Sequence, residues 1–155
     1  MIQAKRFFET VGLCLLAAVW LGATGCKSFN SSPGDLTSVT ITNRPMAEVQ
    51  AAVTRIFTAH AFANVRSQEN QFTFSRVGTS ADQIAYGSLT FHRPITVRVV
   101  VNTRQPAPDL IEVGCNAWII EAENDPVYQE IHSVRYFGRG PYEDLLKEVQ
   151  TQLGE

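Results

Sequence analysis

Chemistry is first written into the spacing of this chain at Cys26. Three small residues, Ala23-Thr24-Gly25, stand directly before it. Small residues at the end of an N-terminal apolar stretch mark the bond that a signal peptidase cuts. Here the bond is followed by a thiol, the most nucleophilic side chain at neutral pH once deprotonated. The other candidate groups are scattered. His60, His92 and His132 form no i,i+4 pair of the kind that holds a metal on a helix. Glu121, Glu123 and Asp125 cluster in EAENDP, but the twelve-residue ligand pattern of a calcium loop and its central glycine are missing. Arg135 and Arg139 flank an aromatic pair in RYFGR, a spacing that could clasp a phosphate or a sugar acid. Ser88 and Thr90 have no evident base partner. The expectation is no metal, no cofactor and no catalytic residue, hence a protein that is not an enzyme.

The residues before Cys26 explain its setting. Lys5 and Arg6 give a basic start, and Val11 to Ala23 form an apolar run of about a dozen residues. A spanning helix needs about 20, so the run reads as a cleaved signal. The sequence resembles the signal peptide of bacterial lipoproteins, whose lipobox ends in Gly-Cys or Ala-Cys. The family usually has Leu three residues before the cysteine, and this chain has Ala23 there. The resemblance implies that Cys26 becomes the mature N-terminus and carries a diacylglyceryl thioether, with palmitate-type acyl chains holding the protein to a membrane. Two or three chains make such an anchor stable where one is marginal. Lys27 follows the cysteine in place of the Asp that marks inner-membrane retention in enterobacteria. The implied location is the cell envelope, on the outer membrane facing the periplasm.

The chain has 155 residues, and residues 27 onward carry 11 Lys+Arg against 14 Asp+Glu. That is enough for one core, and a mildly acidic surface argues against nucleic acid. Cys14 leaves with the signal and Cys26 is committed to lipid. Cys115 is then alone, so no internal disulfide forms, and its place in an apolar strand predicts a buried thiol.

Three segments are expected: a signal over 1–26, a tether over 27–37 rich in Ser, Asn, Pro and Gly, and one domain over 38–155. Alternation predicts strands at Ser38–Thr42, Gln71–Arg76, Ile84–Phe91, Ile95–Arg104, Leu110–Glu121 and, more weakly, Ser133–Phe137. Apolar residues at spacings of three and four predict helices over Met46–His60 and Tyr142–Leu153. Pairing Arg104 with Leu110 across QPAPD would set Val99 opposite Cys115 and Trp118 opposite Thr96. The predicted fold is α+β, a two-layer sandwich. An antiparallel sheet of about five strands carries two helices on one face, in the order β-α-β-β-β-β-α. Element order over roughly 38–153 is similar to that of outer-membrane assembly accessory lipoproteins and, more distantly, of the helix-grip lipid-binding fold.

The expected function is that of an interaction or accessory module docking an envelope protein. A carrier of a small hydrophobic ligand, with a pocket between sheet and helices, is the second reading, and an enzyme with an unfamiliar site the third. The candidate interaction residues lie on the face of the long hairpin that alternation assigns to solvent. There Arg98, Val100, Trp118 and Ile120 interrupt or border a polar surface, and Trp118 needs a cover. Either the Glu121–His132 connection supplies it or a partner does.

Overall fold

The computed structural model describes residues 34–86, 93–135 and 138–154. Cys26 and the signal lie outside the described residues. Nine elements follow in order: β1 (Thr37–Thr42), α1 (Met46–Ala59), β2 (Ala63–Gln68), β3 (Gln71–Val77), α2 (Ser80–Tyr86), β4 (Ile95–Ala107), β5 (Leu110–Glu121), β6 (Glu130–Ser133) and α3 (Gly140–Gln152). The class is α+β, and every strand pairing is antiparallel.

Strand order is β1-β5-β4-β3-β2, and β6 also pairs β5. The edge of β5 away from β4 is thus shared: β1 takes Leu110 to Cys115, and β6 takes Trp118 to Glu121. One face of the sheet carries Val39, Ile41, Phe72, Phe74, the Ile95–Val101 series and the Ile111–Ile119 series. α1 lays Val49, Ala52, Val53, Ile56 and Phe57 on this face, and α3 lays Tyr142, Leu145, Leu146 and Val149 beside them. Phe57 stacks on Phe74 with ring centroids 4.6 Å apart and meets Phe62 edge-on at 5.6 Å. The two long helices run antiparallel. Arg44, before α1, donates to the carbonyl of Leu153, after α3, while His60 at the other end reaches Glu148.

The structure corrects the predicted order in three places. The strand expected at Ile84–Phe91 is replaced by α2 as far as Tyr86, and residues 87–92 lie outside the described residues. The cause is a reciprocal cap. Thr79 Oγ1 accepts from the Asp82 amide at 3.2 Å, and Asp82 Oδ2 accepts from the Thr79 amide at 2.7 Å. β2 is an added edge strand whose six residues are all exposed, so its sequence has no apolar alternation to announce it. β6 spans Glu130–Ser133, upstream of the segment expected at Ser133–Phe137. Among the described residues six strands and three helices therefore stand where about five and two were expected.

The hairpin register also differs. β4 runs to Ala107, a bulge falls between Arg104 and Ala107, and only Pro108-Asp109 turn. Arg104 consequently faces Glu112, Val101 faces Cys115, Val99 faces Ala117 and Trp118 faces Arg98. The slip is two residues, an even number, so every side chain keeps its predicted face. Cys115 is buried, and burial pushes its thiol up to about 12, with the charge of Asp35 adding to the effect.

The chain reaches the sheet two residues before β1. The Leu36 amide donates to the Cys115 carbonyl at 2.9 Å, and Asn116 Nδ2 donates to Asp35 Oδ1 at 3.0 Å. Asp35 and Leu36, assigned to the tether by composition, thus belong to the folded unit. Among the described residues no helix is long and apolar enough to cross a membrane.

Candidate functional site

A cleft of about 870 Å³ opens at one end of the helical layer. Four short segments converge to form it. The first is the end of α1, where His60 leaves the helix and Ala61 takes a left-handed backbone with φ of 63°. That turn swings Phe62 back against Phe57. The second is the end of β3, with Arg76 and Val77. The third is α2, contributing Ala81, Asp82, Ala85 and Tyr86, and the fourth is the start of α3, with Pro141, Tyr142, Leu145 and Glu148. Gly138 lets the third and fourth segments approach. A Cβ there would lie 2.7 Å from Tyr86 Oη and 2.8 Å from Val134 Cγ1.

Two ion pairs lie within the cleft. Arg76 Nη1 lies 2.8 Å from Asp82 Oδ2, and its guanidinium sits 5.1 Å over the Phe62 ring. Asp82 also accepts from the Thr79 amide and hydroxyl. Burial works to raise the carboxyl, but the Arg76 and Thr79 hydrogen bonds outweigh it and hold Asp82 below the ordinary carboxylate range. At the mouth, His60 Nε2 lies 2.7 Å from Glu148 Oε2. The phenol of Tyr142 is pushed up by burial, against the lowering influence of Arg76. Of the three carboxylates that line the cleft, Asp82 and Glu148 are engaged, while Asp144 lies exposed on its wall.

The four predicted interaction residues come together elsewhere, on the sheet face opposite the helices. Thr96 faces Ile120, Arg98 faces Trp118 and Val100 faces Asn116, three consecutive rows. Ile120 is buried at 1% exposure, whereas Trp118, Val100 and Arg98 are half-buried. Glu123, from the β5–β6 connection, forms an ion pair with Arg98, the cross-strand neighbour of Trp118. The connection therefore reaches over this end of the face.

Several of the other sequence candidates have local partners, and Arg135 is exposed. Glu121 is buried, Glu123 serves Arg98, and Asp125 Oδ1 accepts from the amides of Val127 and Tyr128. Arg139 lies 3.6 Å from Glu143, and His132 lies 3.4 Å from Glu130. Among the described residues no three His, Cys, Asp or Glu side chains converge to hold a metal ion. His92 and Cys26 lie outside the described residues. Apart from His60, the cleft residues were not singled out from the sequence. The one local signal was Thr79-x-x-Asp82, a capping pair that would have placed α2 beside Arg76. Neither a protein-family model nor a curated protein matches this chain.

Proposed function

We propose that this chain is a lipid-anchored lipoprotein of the cell envelope, held by Cys26 on the outer membrane facing the periplasm, and that it works as a non-catalytic binding module. The cleft is its site for a small hydrophobic ligand. One observation carries this reading. The cleft has the volume of a ligand pocket, typically about 300–1,000 Å³, with Phe62, Ala81, Ala85 and Leu145 in its walls and with its bases, Arg76 and His60, already paired.

Two measurements test it. N-phenyl-1-naphthylamine should brighten on binding the protein, and Ala85→Trp, which fills the cleft from α2, should remove that signal without lowering the melting temperature. An undiminished signal in the filled variant refutes the cleft. For the anchor, metabolic labelling with palmitate should mark the protein. Cys26→Ser should abolish the label and release the protein from membranes.

The outer sheet face supports a second reading, docking of an envelope protein. Its support is the contiguous Trp118, Val100 and Arg98 surface, which no helix of the described residues overlies.

A further inference from the structure

Among the described residues seven large hydrophobic side chains are exposed, and six of them lie at one end of the sheet. Val77, 80% exposed, ends β3, and α2 follows it with Ile84, 77% exposed, and Tyr86. The β5–β6 connection reaches the same end with Val127, also 77% exposed, and Tyr128, and Ile131 follows in β6. Register joins the two groups. Val77 faces Thr96, Thr96 faces Ile120 and Ile120 faces Ile131, one row across the outer face. Arg93, just before β4, holds its guanidinium 4.8 Å over the Tyr128 ring. The other end of the sheet is the reverse. Gln68, Glu69, Asn70 and Gln71 of the β2–β3 hairpin are exposed there, with Gln105 and Asp109 beside the β4–β5 turn. A single exposed apolar residue is ordinary. Six at one end of a sheet form a rim that meets something.

The place where the chain enters the fold says what the rim meets. Gly34 stands eight positions after Cys26, so the two are at most about 29 Å apart. Asp35 is held at Asn116, and the five residues from there to Glu121, the last of β5, span about 17 Å. A domain anchored at Cys26 can therefore lay its rim on the bilayer that holds the anchor. The residue types suit that boundary. Tyr128 joins an apolar ring to a polar tip, and Arg93 carries its charge on a long apolar stem. Arg93 lies 4.0 Å from Glu130, and Arg98 is paired with Glu123. Contact with lipid would thus draw on the apolar side chains more than on charge.

We infer that the rim of Val77, Ile84, Val127, Tyr128 and Ile131 is a membrane-contact surface, seated through its apolar side chains in the headgroup layer of the bilayer that holds Cys26. This rests on the lipid anchor proposed above. Val77 and Tyr86 also line the cleft, so the cleft then opens beside the bilayer surface.

The test uses the protein expressed with its signal, purified from membranes and reconstituted in phosphatidylcholine vesicles. An environment-sensitive fluorophore is placed on Val127→Cys, on Val77→Cys or, at the far end of the sheet, on Gln105→Cys. All three positions are exposed, and Cys115 is enclosed, so the label goes to the new thiol and leaves the core intact. At positions 127 and 77 the emission should shift to the blue on vesicles. It should lose most of its intensity when part of the lipid carries a nitroxide near the headgroup. At position 105 it should do neither, and high salt should leave the pattern unchanged. Equal quenching at all three positions overturns the inference and leaves the anchor standing. So does an absence of quenching at 127 and 77 while the protein floats with the vesicles. Cross-links between copies through position 127, in place of lipid quenching, assign the rim to a second copy and overturn it as well. If the unaltered protein does not float with vesicles, the anchor reading fails and this inference fails with it.

Discussion

The carboxylate of Asp35 sits on the outer face of Gly114, in the space where any other residue would carry its Cβ. An ideal Cβ at Gly114 would lie 2.7 Å from Asp35 Cγ and closer still to Oδ2. The Asp35 side chain is 3% exposed, bonded to Asn116 Nδ2 and 3.3 Å from Arg104 Nη2. A glycine inside an interior strand, usually a weakness, here makes room for the residue that fixes the start of the fold.

Gly114→Ala should therefore expel Asp35 and loosen the run into β1. We expect a loss of about 1–3 kcal/mol in urea unfolding, the usual cost of forcing atoms into a packed site. Adding Asp35→Ala should recover part of that loss, because the clash is then gone. Strict additivity of the two changes would show that the residues do not interact.

Asp35 and Asp82 should act on stability with opposite signs as pH falls. Burial outweighs Arg104 and Asn116 and raises the Asp35 carboxyl above its ordinary 3.8. The folded state then binds the proton more tightly than the unfolded state. Its destabilising effect is present above the folded pKa and fades as pH falls through it toward 3.8. Asp82 is lowered, so its stabilising effect is present above 3.8 and is lost as pH falls through its folded value. Asp82→Asn should cost about 1–3 kcal/mol at neutral pH, as for hydrogen bonds to a charged group. That cost should shrink in acid. Relative to Asp35→Asn, the unaltered protein should gain as the medium is acidified. Urea titrations of both variants between neutral and strongly acidic pH check the two slopes.

Cys115 should resist thiol reagents until the protein unfolds. Its side chain is enclosed, and its thiol is raised to about 12, so little thiolate forms and little of it is reachable. A thiol-reactive chromophore should read no exchange from Cys115 in buffer and one thiol from it in denaturant. Cys115→Ser should cost about 1–3 kcal/mol, since the hydroxyl gains no partner among the apolar neighbours.

Trp118 separates the two roles of the outer face. With Glu123 bridging to its neighbour Arg98, Trp118 is expected to serve the fold. Trp118→Ala should lower stability by roughly 1–3 kcal/mol, less than the 3–5 of a fully buried aromatic. An unchanged melting temperature together with loss of a co-purifying envelope protein would instead assign it to docking.

What the sequence determined by itself is which side chains share a face. In β4 and β5 alternation alone sets that outcome. The observed register differs from the predicted one by two residues, yet Val97, Val99, Val101, Cys115 and Ala117 remain in the core. The faces of α1 and α3 were legible for the same reason, since their spacing is fixed by the helix repeat. Tertiary structure alone decided β2, whose exposed ANVRSQ carries no apolar signal and exists by hydrogen-bonding to β3. α2 came from a local signal instead, the Thr79–Asp82 cap, which overrode a short apolar alternation. Tertiary structure also decided the cleft. Phe62, Arg76, Tyr86 and Tyr142 come from four separate segments, and periodicity describes only neighbours along the chain. Their meeting depends on how α1, α3 and the end of the sheet pack, a long-range outcome that no local pattern encodes.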